Sequence, residues 1–560
     1  MDRKKKNEIT RREFMVRTGK TLAAASALGS APGLVSGCAA IHPIGTENSI
    51  LIRSGTVYDG TLADSFSADI LLHGDRIVEI GNLADVKAVR TIDASGLAIT
   101  PGFIDIHTHS DLPFKKLGIK RLAAYAMPSW KGNYCYLYQG VTSIVTGNCG
   151  YGYTDTDYWL DMVDSLSFGA NVYHLAPHGE MRFELFGKEQ PRQLSHGQLE
   201  VMKRRLAEEL EKGAVGFSSG LEYAPGLFTP TEELIELNKV VRKYGRIYTT
   251  HVRDLTGRTS PDGRPAVEVT LDEALDTARQ AKVPVQISHL LIKAPLNNSR
   301  ADKLMEMIDK ARKSGLAVTA DQFPYSSAQT LLSSRLPVEF KDLEGVREEF
   351  RTKEGRDLIR KAIEQRFAYS GPESIRIAMC PEHPSYEGMT LSEIAEVEGR
   401  SPSETYAELV CEKRSPMAIF SDQDERNVIE IMSKESIITA SDGFTVPHGM
   451  YRMHPVAYGT FPRRFRQCVL ERKEMSPSAA IRTMTSLPAE TFNMKQRGKI
   501  AKGYYADLAV IDLQKFRDKA TFTDPHLYAE GVVHLFVNGV QALENGKPTG
   551  KRGGRGMRIT

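Results

Sequence analysis

Six side chains of metal-binding type stand at the ends of strand-like runs, and their placement directs the reading. His107 and His109 stand two residues apart at the end of the apolar run Ile99-Thr-Pro-Gly-Phe-Ile-Asp-Ile-His-Thr-His109. Alternate side chains of an extended strand share a face, so both imidazoles can meet one ion. Cys149, His251, His289 and Asp442 each close another apolar run: Val141–Thr146 with Gly-Asn-Cys after it, Arg246–His251, Val283–His289 and Ile437–Asp442. Neutral imidazole and thiolate are donors that zinc prefers, whereas magnesium and calcium favour oxygen. Cys149 is expected to bind as the thiolate, because an adjacent metal lowers its pKa.

Such a set does chemistry only if the chain brings it together. Between residues 99 and 490 the pattern alternates short strands (141–146, 214–218, 246–251, 283–289, 317–322, 437–442) with helix-like stretches (198–212, 231–244, 271–282, 301–314, around 424–432). That alternation predicts an α/β fold, a (β/α)8 barrel of TIM type, whose strand C-termini all converge on one face. The six donors, spread from residue 107 to 442, would meet there. Residues 330–405 break the rhythm, being charged and mostly helical in pattern, and read as an insertion in a barrel loop, a lid in position. Short strands punctuated by Gly and Asp fill residues 49–98 and return in 491–560.

The first 38 residues read as a targeting segment. Lys4-Lys5-Lys6 and Thr10-Arg-Arg-Glu-Phe-Met-Val16 look like a twin-arginine export signal. An apolar stretch from Thr21 to Leu34 leads to Val35-Ser-Gly-Cys38, which resembles a lipobox with Cys38 as the lipidated residue. Residues 39–48 form a tether. The partners implied are the export machinery and a membrane reached through the lipid anchor, in a bacterial periplasm or at the cell surface. Lys and Arg total 73 against 70 Asp and Glu, so no basic excess suits nucleic acid. Six cysteines in 560 residues are too few for a disulfide framework, and no run after the signal approaches the ~18 apolar residues of a membrane helix.

The run Pro101-Gly-Phe-Ile-Asp-Ile-His-Thr-His109 resembles the first-strand signature of the amidohydrolase superfamily. Gly147-Asn-Cys-Gly150 narrows the resemblance to the D-aminoacylase branch, the N-acyl-D-amino-acid deacylases. Gly213–Gly226, Thr250-His-Val-Arg253, Ile287-Ser-His289, Asp321-Gln-Phe-Pro-Tyr325, Ser441-Asp-Gly443, Tyr458–Arg463 and Arg497–Leu508 agree with it. The similarity covers about residues 49–550. It implies that both ends of the mature chain build one small β-sandwich beside the barrel. It further implies a tight zinc on Cys149, His251 and His289, and a second position of partial occupancy on His107, His109 and Asp442. Asp442 would be the catalytic residue, taking the proton of the attacking water and passing it to the departing nitrogen.

The implied substrate is an N-acyl-D-amino acid, cleaved to a carboxylate and a free D-amino acid. Its α-carboxylate needs a hydroxyl or a cation. Tyr223 and Tyr325 match family positions near the substrate. Where the family often has a lysine two residues past the sixth-strand histidine, this chain has Leu291, with Lys293 nearest. Arg452 is the cation offered by the loop after Asp442, and Val456 stands where a basic residue is common. Competing readings are a deacylase of N-acyl-L-amino acids, a dipeptidase for D-containing dipeptides, and a lipid-anchored binding protein without turnover.

Overall fold

The computed structural model describes residues 48–116, 127–187, 191–295, 300–337, 340 and 348–559. The export signal, Cys38 and residues 39–47 of the tether lie outside the described residues. Eight strands form one sheet: β1 (Phe103–Asp105), β2 (Val141–Thr146), β3 (Asn171–Pro177), β4 (Gly216–Gly220), β5 (Ile247–His251), β6 (Val285–Ile287), β7 (Val318–Gln322) and β8 (Ile437–Thr439). Every neighbouring pair is parallel, in sequence order from β1 to β8. A parallel bridge between Thr108 and Gly443 joins the first strand's continuation to the last. It places His107 and Asp442 side by side, the Asp442 N–H donating to the His107 carbonyl at 2.9 Å.

A parallel sheet covered by helices is buried on both faces, which is why its strands read as continuous apolar runs. All six residues of β2 are buried. The covering helices carry the complementary pattern: Ala301–Lys313 buries Ala301, Leu304, Met305, Ile308 and Ala311, the stripe of a 3.6-residue period. Strand β3 was not foreseen. Asn171-Val-Tyr-His-Leu-Ala-Pro177 mixes polar and apolar residues, and a strand buried on both faces lacks the alternation that would announce it.

The stretch from Ile99 to His109 is not the single strand its apolar character suggests. Ala98–Pro101 belongs to a second sheet, and β1 begins only at Phe103. The hinge is Gly102: a Cβ there would lie 2.2 Å from Thr142 Oγ1, so no larger residue lets the chain pass from one sheet to the other. That second sheet has nine strands and draws on both ends of the chain. Ala98–Pro101 pairs in parallel with Ser49–Val57 and antiparallel with Leu508–Ile511, from residues over 400 positions apart. The expected small sandwich is thus one continuous hydrogen-bonded sheet. No described helix is long and apolar enough to cross a membrane.

The expected helical insertion has a sheet of its own. Ala328–Leu331, Ile375–Met379 and Met417–Phe420 pair antiparallel around the last. The helices Lys353–Phe367, Leu391–Glu398 and Pro402–Val410 accompany them, and a separate apolar cluster including Leu332, Ile359, Ile377 and Tyr406 forms their core. The excursion therefore spans 328–420 rather than 330–405. Its strands are four or five residues long and were masked by the charged helices between them.

Candidate metal centre

Only His251 lies within a strand; the other donors sit two to four residues past strand ends, on turns that aim them inward. Cys149, His289 and Asp442 have φ of 54°, 32° and 54°. Non-glycine residues avoid this left-handed region, and clusters of such strain mark functional sites. Around Cys149 the turn is held by Asn148, whose Nδ2 donates to the carbonyls of Val145 (3.0 Å) and Ile106 (3.2 Å). Gly147 and Gly150 flank it at φ +79° and +73°.

These turns bring all six donors together, in two groups that share Cys149. The first is Cys149, His251 and His289, with His289 Nε2 2.8 Å from His251 Nδ1 and 3.9 Å from Cys149 Sγ. The second is His107, His109, Cys149 and Asp442. There Asp442 Oδ1 lies 3.2 Å from His107 Nε2 and 3.1 Å from His109 Nε2, and His107 Nε2 lies 3.2 Å from Cys149 Sγ. Tetrahedral zinc with ~2.0–2.3 Å bonds needs donors roughly 3.3–3.7 Å apart, and these separations bracket that range. The arrangement differs from the implied division into two threes, because the thiol belongs to both groups.

The electrostatics also ask for a cation. Burial alone would push the Cys149 thiol up, yet His107 and hydrogen bonds from His107, His109 and His251 hold it well below the ordinary value. Burial opposes protonation of His107 and His109, but Cys149 and Asp442 draw protons onto both, His109 rising to about 9. Asp442 stays below the usual carboxylate range despite burial, because His107, His109 and His289 surround it. Protons here fill the role of the positive charge that two anionic donors require. Histidine, thiolate and carboxylate in this geometry fit zinc.

Outer partners orient the ring donors. Asp321 Oδ1 faces His107 Nδ1 at 3.3 Å and accepts the His289 N–H at 2.8 Å. Glu222 accepts from His251 Nε2 at 2.8 Å. Asp105 accepts the N–H groups of His107 (3.2 Å) and Ser441 (3.1 Å), and burial lifts its pKa to about 7. Glu222 and Arg335 drew no attention in the sequence; the signal available for Glu222 was a carboxylate two residues past a barrel strand. Arg335 gave none, since only the insertion's folding brings it to the barrel.

The expected substrate contacts are scattered. Tyr223 packs its ring edge-on against His251, centroids 4.9 Å apart, and its hydroxyl meets Thr330 Oγ1 at 3.1 Å. Lys293 is buried and bonds Glu222 at 2.6 Å. Tyr325 is buried with its hydroxyl against Gly459, where an added Cβ would lie at 2.6 Å, and Arg463 stacks on its ring. Arg452 is exposed, running alongside Gly388. A small cavity beside Asp442 is lined by Gln329, Phe444, Val446, Met453, His454 and Val456. His178, given no catalytic part by the sequence, is buried on Glu233 at 3.0 Å.

Comparison with known proteins agrees with this geometry. Residues 391–542 match the model of the amidohydrolase family. An N-acyl-D-glutamate deacylase of Alcaligenes xylosoxydans xylosoxydans is 32% identical over 90% of this chain and 95% of its own length. The crystal structure of N-acyl-D-glutamate deacylase from Bordetella bronchiseptica, with zinc and a phosphonate inhibitor, superposes with a TM-score of 0.75 at 28% identity, covering 91% of this chain and 99% of that one. A D-aminoacylase structure described as having a binuclear metal centre gives 0.76 at 27% identity, over the same shares of the two chains. The chain belongs to the amidohydrolase family, in its D-aminoacylase branch.

Proposed function

We propose that this protein is a zinc-dependent hydrolase of linear amides that releases a free D-amino acid and a carboxylate from an N-acyl-D-amino acid. One observation carries the reading: six donors from five different strand ends converge in two groups joined by Cys149, Asp442 among them. Zinc bound in these groups would polarise the amide carbonyl and acidify the attacking water. Asp442 Oδ1 is fixed by two imidazoles and its carboxylate is ionised at neutral pH, so it can accept a proton from water and deliver it to the departing nitrogen. Tyr223, edge-on to His251, is assigned to the substrate's carboxylate side, whereas Lys293 is taken up by Glu222.

The test is release of amine from paired N-acetyl-D- and N-acetyl-L-amino acids by zinc-loaded protein, with a chelated control. Chelator-sensitive turnover of the D series is expected. Asp442→Asn should lose about 10²–10⁴-fold in kcat, the usual share of a general acid–base group. Turnover of neither series by zinc-bound protein would overturn the substrate assignment and move the search to D-containing dipeptides.

Arg11-Arg12 and Cys38 support a folded precursor sent out by the twin-arginine route and anchored by lipid. That route suits an enzyme that loads its metal before crossing a membrane.

A further inference from the structure

Glu222 follows β4 on the loop Leu221-Glu-Tyr223, and its carboxylate is enclosed by three nitrogen donors. Oε2 accepts from His251 Nε2 at 2.8 Å and from Lys293 Nζ at 2.6 Å; Oε1 faces Arg335 Nη1 at 3.3 Å. The carboxylate side chain is about one-tenth exposed, and the Lys293 and Arg335 side chains only 4% and 3%. A buried carboxylate with two buried cations is costly to assemble, and such a group persists where its geometry is used. The three come from three places: the loop after β4, the loop after β6, and the short helix Leu332–Arg335 of the insertion.

The used geometry is that of His251. With Nε2–H donated to Glu222, the lone pair of Nδ1 points at His289 Nε2, 2.8 Å away, within the group that includes Cys149. Rotation of the ring would place a carbon where the donor nitrogen now stands. We propose that Glu222 is a positioning residue for the metal, locking His251 with Nδ1 toward the ion, and that Lys293 and Arg335 hold Glu222 in that pose, tying the insertion to the metal centre. A carboxylate behind a ligating imidazole fixes its tautomer and raises its basicity, and losing it typically weakens metal binding 10–100-fold. The proposal rests on the zinc part of the functional reading and not on the identity of the substrate.

The experiment is competition for zinc between the full-length protein and a chromophoric chelator, with far-ultraviolet circular dichroism as the check on folding. Glu222→Ala should weaken the tighter zinc site 10–100-fold. Glu222→Gln, whose amide oxygen still accepts from His251 Nε2, should recover part of that loss. Arg335→Met should fall between wild type and Glu222→Ala. A Glu222→Ala protein that binds zinc as wild type overturns the proposal. So does equal weakening by Gln and Ala, which would mark a general packing effect. If Glu222→Ala does not fold, Glu222→Gln and Arg335→Met decide, and wild-type affinity in both overturns the proposal. Wild-type protein that takes up no zinc overturns the metal reading itself, whereas zinc-binding wild type that turns over no N-acyl amino acid leaves this test intact.

Discussion

At the scale of single residues, the surroundings of Asp442 combine charge with neutrality. His454 lines the cavity next to it, yet it is uncharged. Its Nδ1 accepts the Val456 N–H at 3.0 Å, so Nε2 carries the proton. Its ring is enclosed by Tyr325 and Phe522, centroids 5.0 Å away on either count. Burial drives its pKa from 6.5 to about 3. The unfolded chain therefore binds a proton below pH 6.5 that the folded chain refuses until about pH 3. Stability from this group is present above pH 6.5 and declines as pH falls through that window, by up to ~1.4 kcal/mol per unit. Denaturant unfolding of the metal-free protein between pH 6.5 and 4 should thus be flatter in His454→Gln than in wild type. Equal slopes would mean that His454 titrates alike in both states.

At the scale of elements, the last barrel strand matters most, because Asp442 hangs from it. β8 is only three residues long and pairs with β7 alone over its length. It is also supported by Arg464, a fully buried side chain of the helix Val456–Phe465, and by Thr483, whose Oγ1 meets Thr439 Oγ1 at 3.2 Å. The guanidinium donates to the carbonyls of Met432 (2.7 and 3.0 Å), Lys434 (3.1 Å) and Ile437 (2.8 Å), and to Thr439 Oγ1 (2.7 Å). Burial lowers its pKa only to about 10, so it remains a cation at neutral pH. Arg464→Met would leave part of this set unpaired, a buried unsatisfied acceptor costing ~1–3 kcal/mol, while Thr439 Oγ1 keeps Thr483. A loss of roughly 3–5 kcal/mol in unfolding free energy is expected, with weaker activity because Asp442 shifts. A loss under ~1 kcal/mol would show that relaxation or water replaces the arginine.

At the scale of the whole molecule, the two ends of the chain meet the barrel from one sheet. Arg497 and Asp507 form a buried ion pair, and Asp507 and Asn538 both reach Asn171 at the start of β3. The C-terminal residues then run onto the barrel itself: Gly556 bridges Val172, and Arg246 Nη2 donates to the Ile559 carbonyl at 2.6 Å. The catalytic barrel thus depends on chain that lies as far as 401 residues away, where Arg558 pairs with Asp157. Such long-range closure is slow. Expressed with its leader, the protein should appear in the membrane fraction of the cell envelope, and Cys38→Ala should move it to the soluble exported fraction. A Cys38→Ala protein that stays membrane-bound would remove the lipid anchor from the account.

The barrel and its candidate donors were legible along the chain. Zinc ligands are few in kind, strands buried on both faces read as apolar runs, and a parallel barrel must gather its strand ends on one side, so His107, His109, Cys149, His251, His289 and Asp442 were legible without coordinates. Tertiary structure alone decided how they divide. That Cys149 serves both groups depends on a left-handed turn at residue 149, and nothing local in a Gly-Asn-Cys-Gly sequence states how far its sulfur lies from His107. It also decided the second layer. Glu222, Asp321 and Arg335 look like ordinary surface charges along the chain, because a charged residue has no periodicity that announces burial. Only the packing of the insertion against the loops after β4 and β6 makes Arg335 and Lys293 partners of one carboxylate. The same packing leaves Arg452 exposed and presses the Tyr325 hydroxyl against Gly459. Contact across more than a hundred residues is set by how whole elements dock, and a linear spacing carries no record of it.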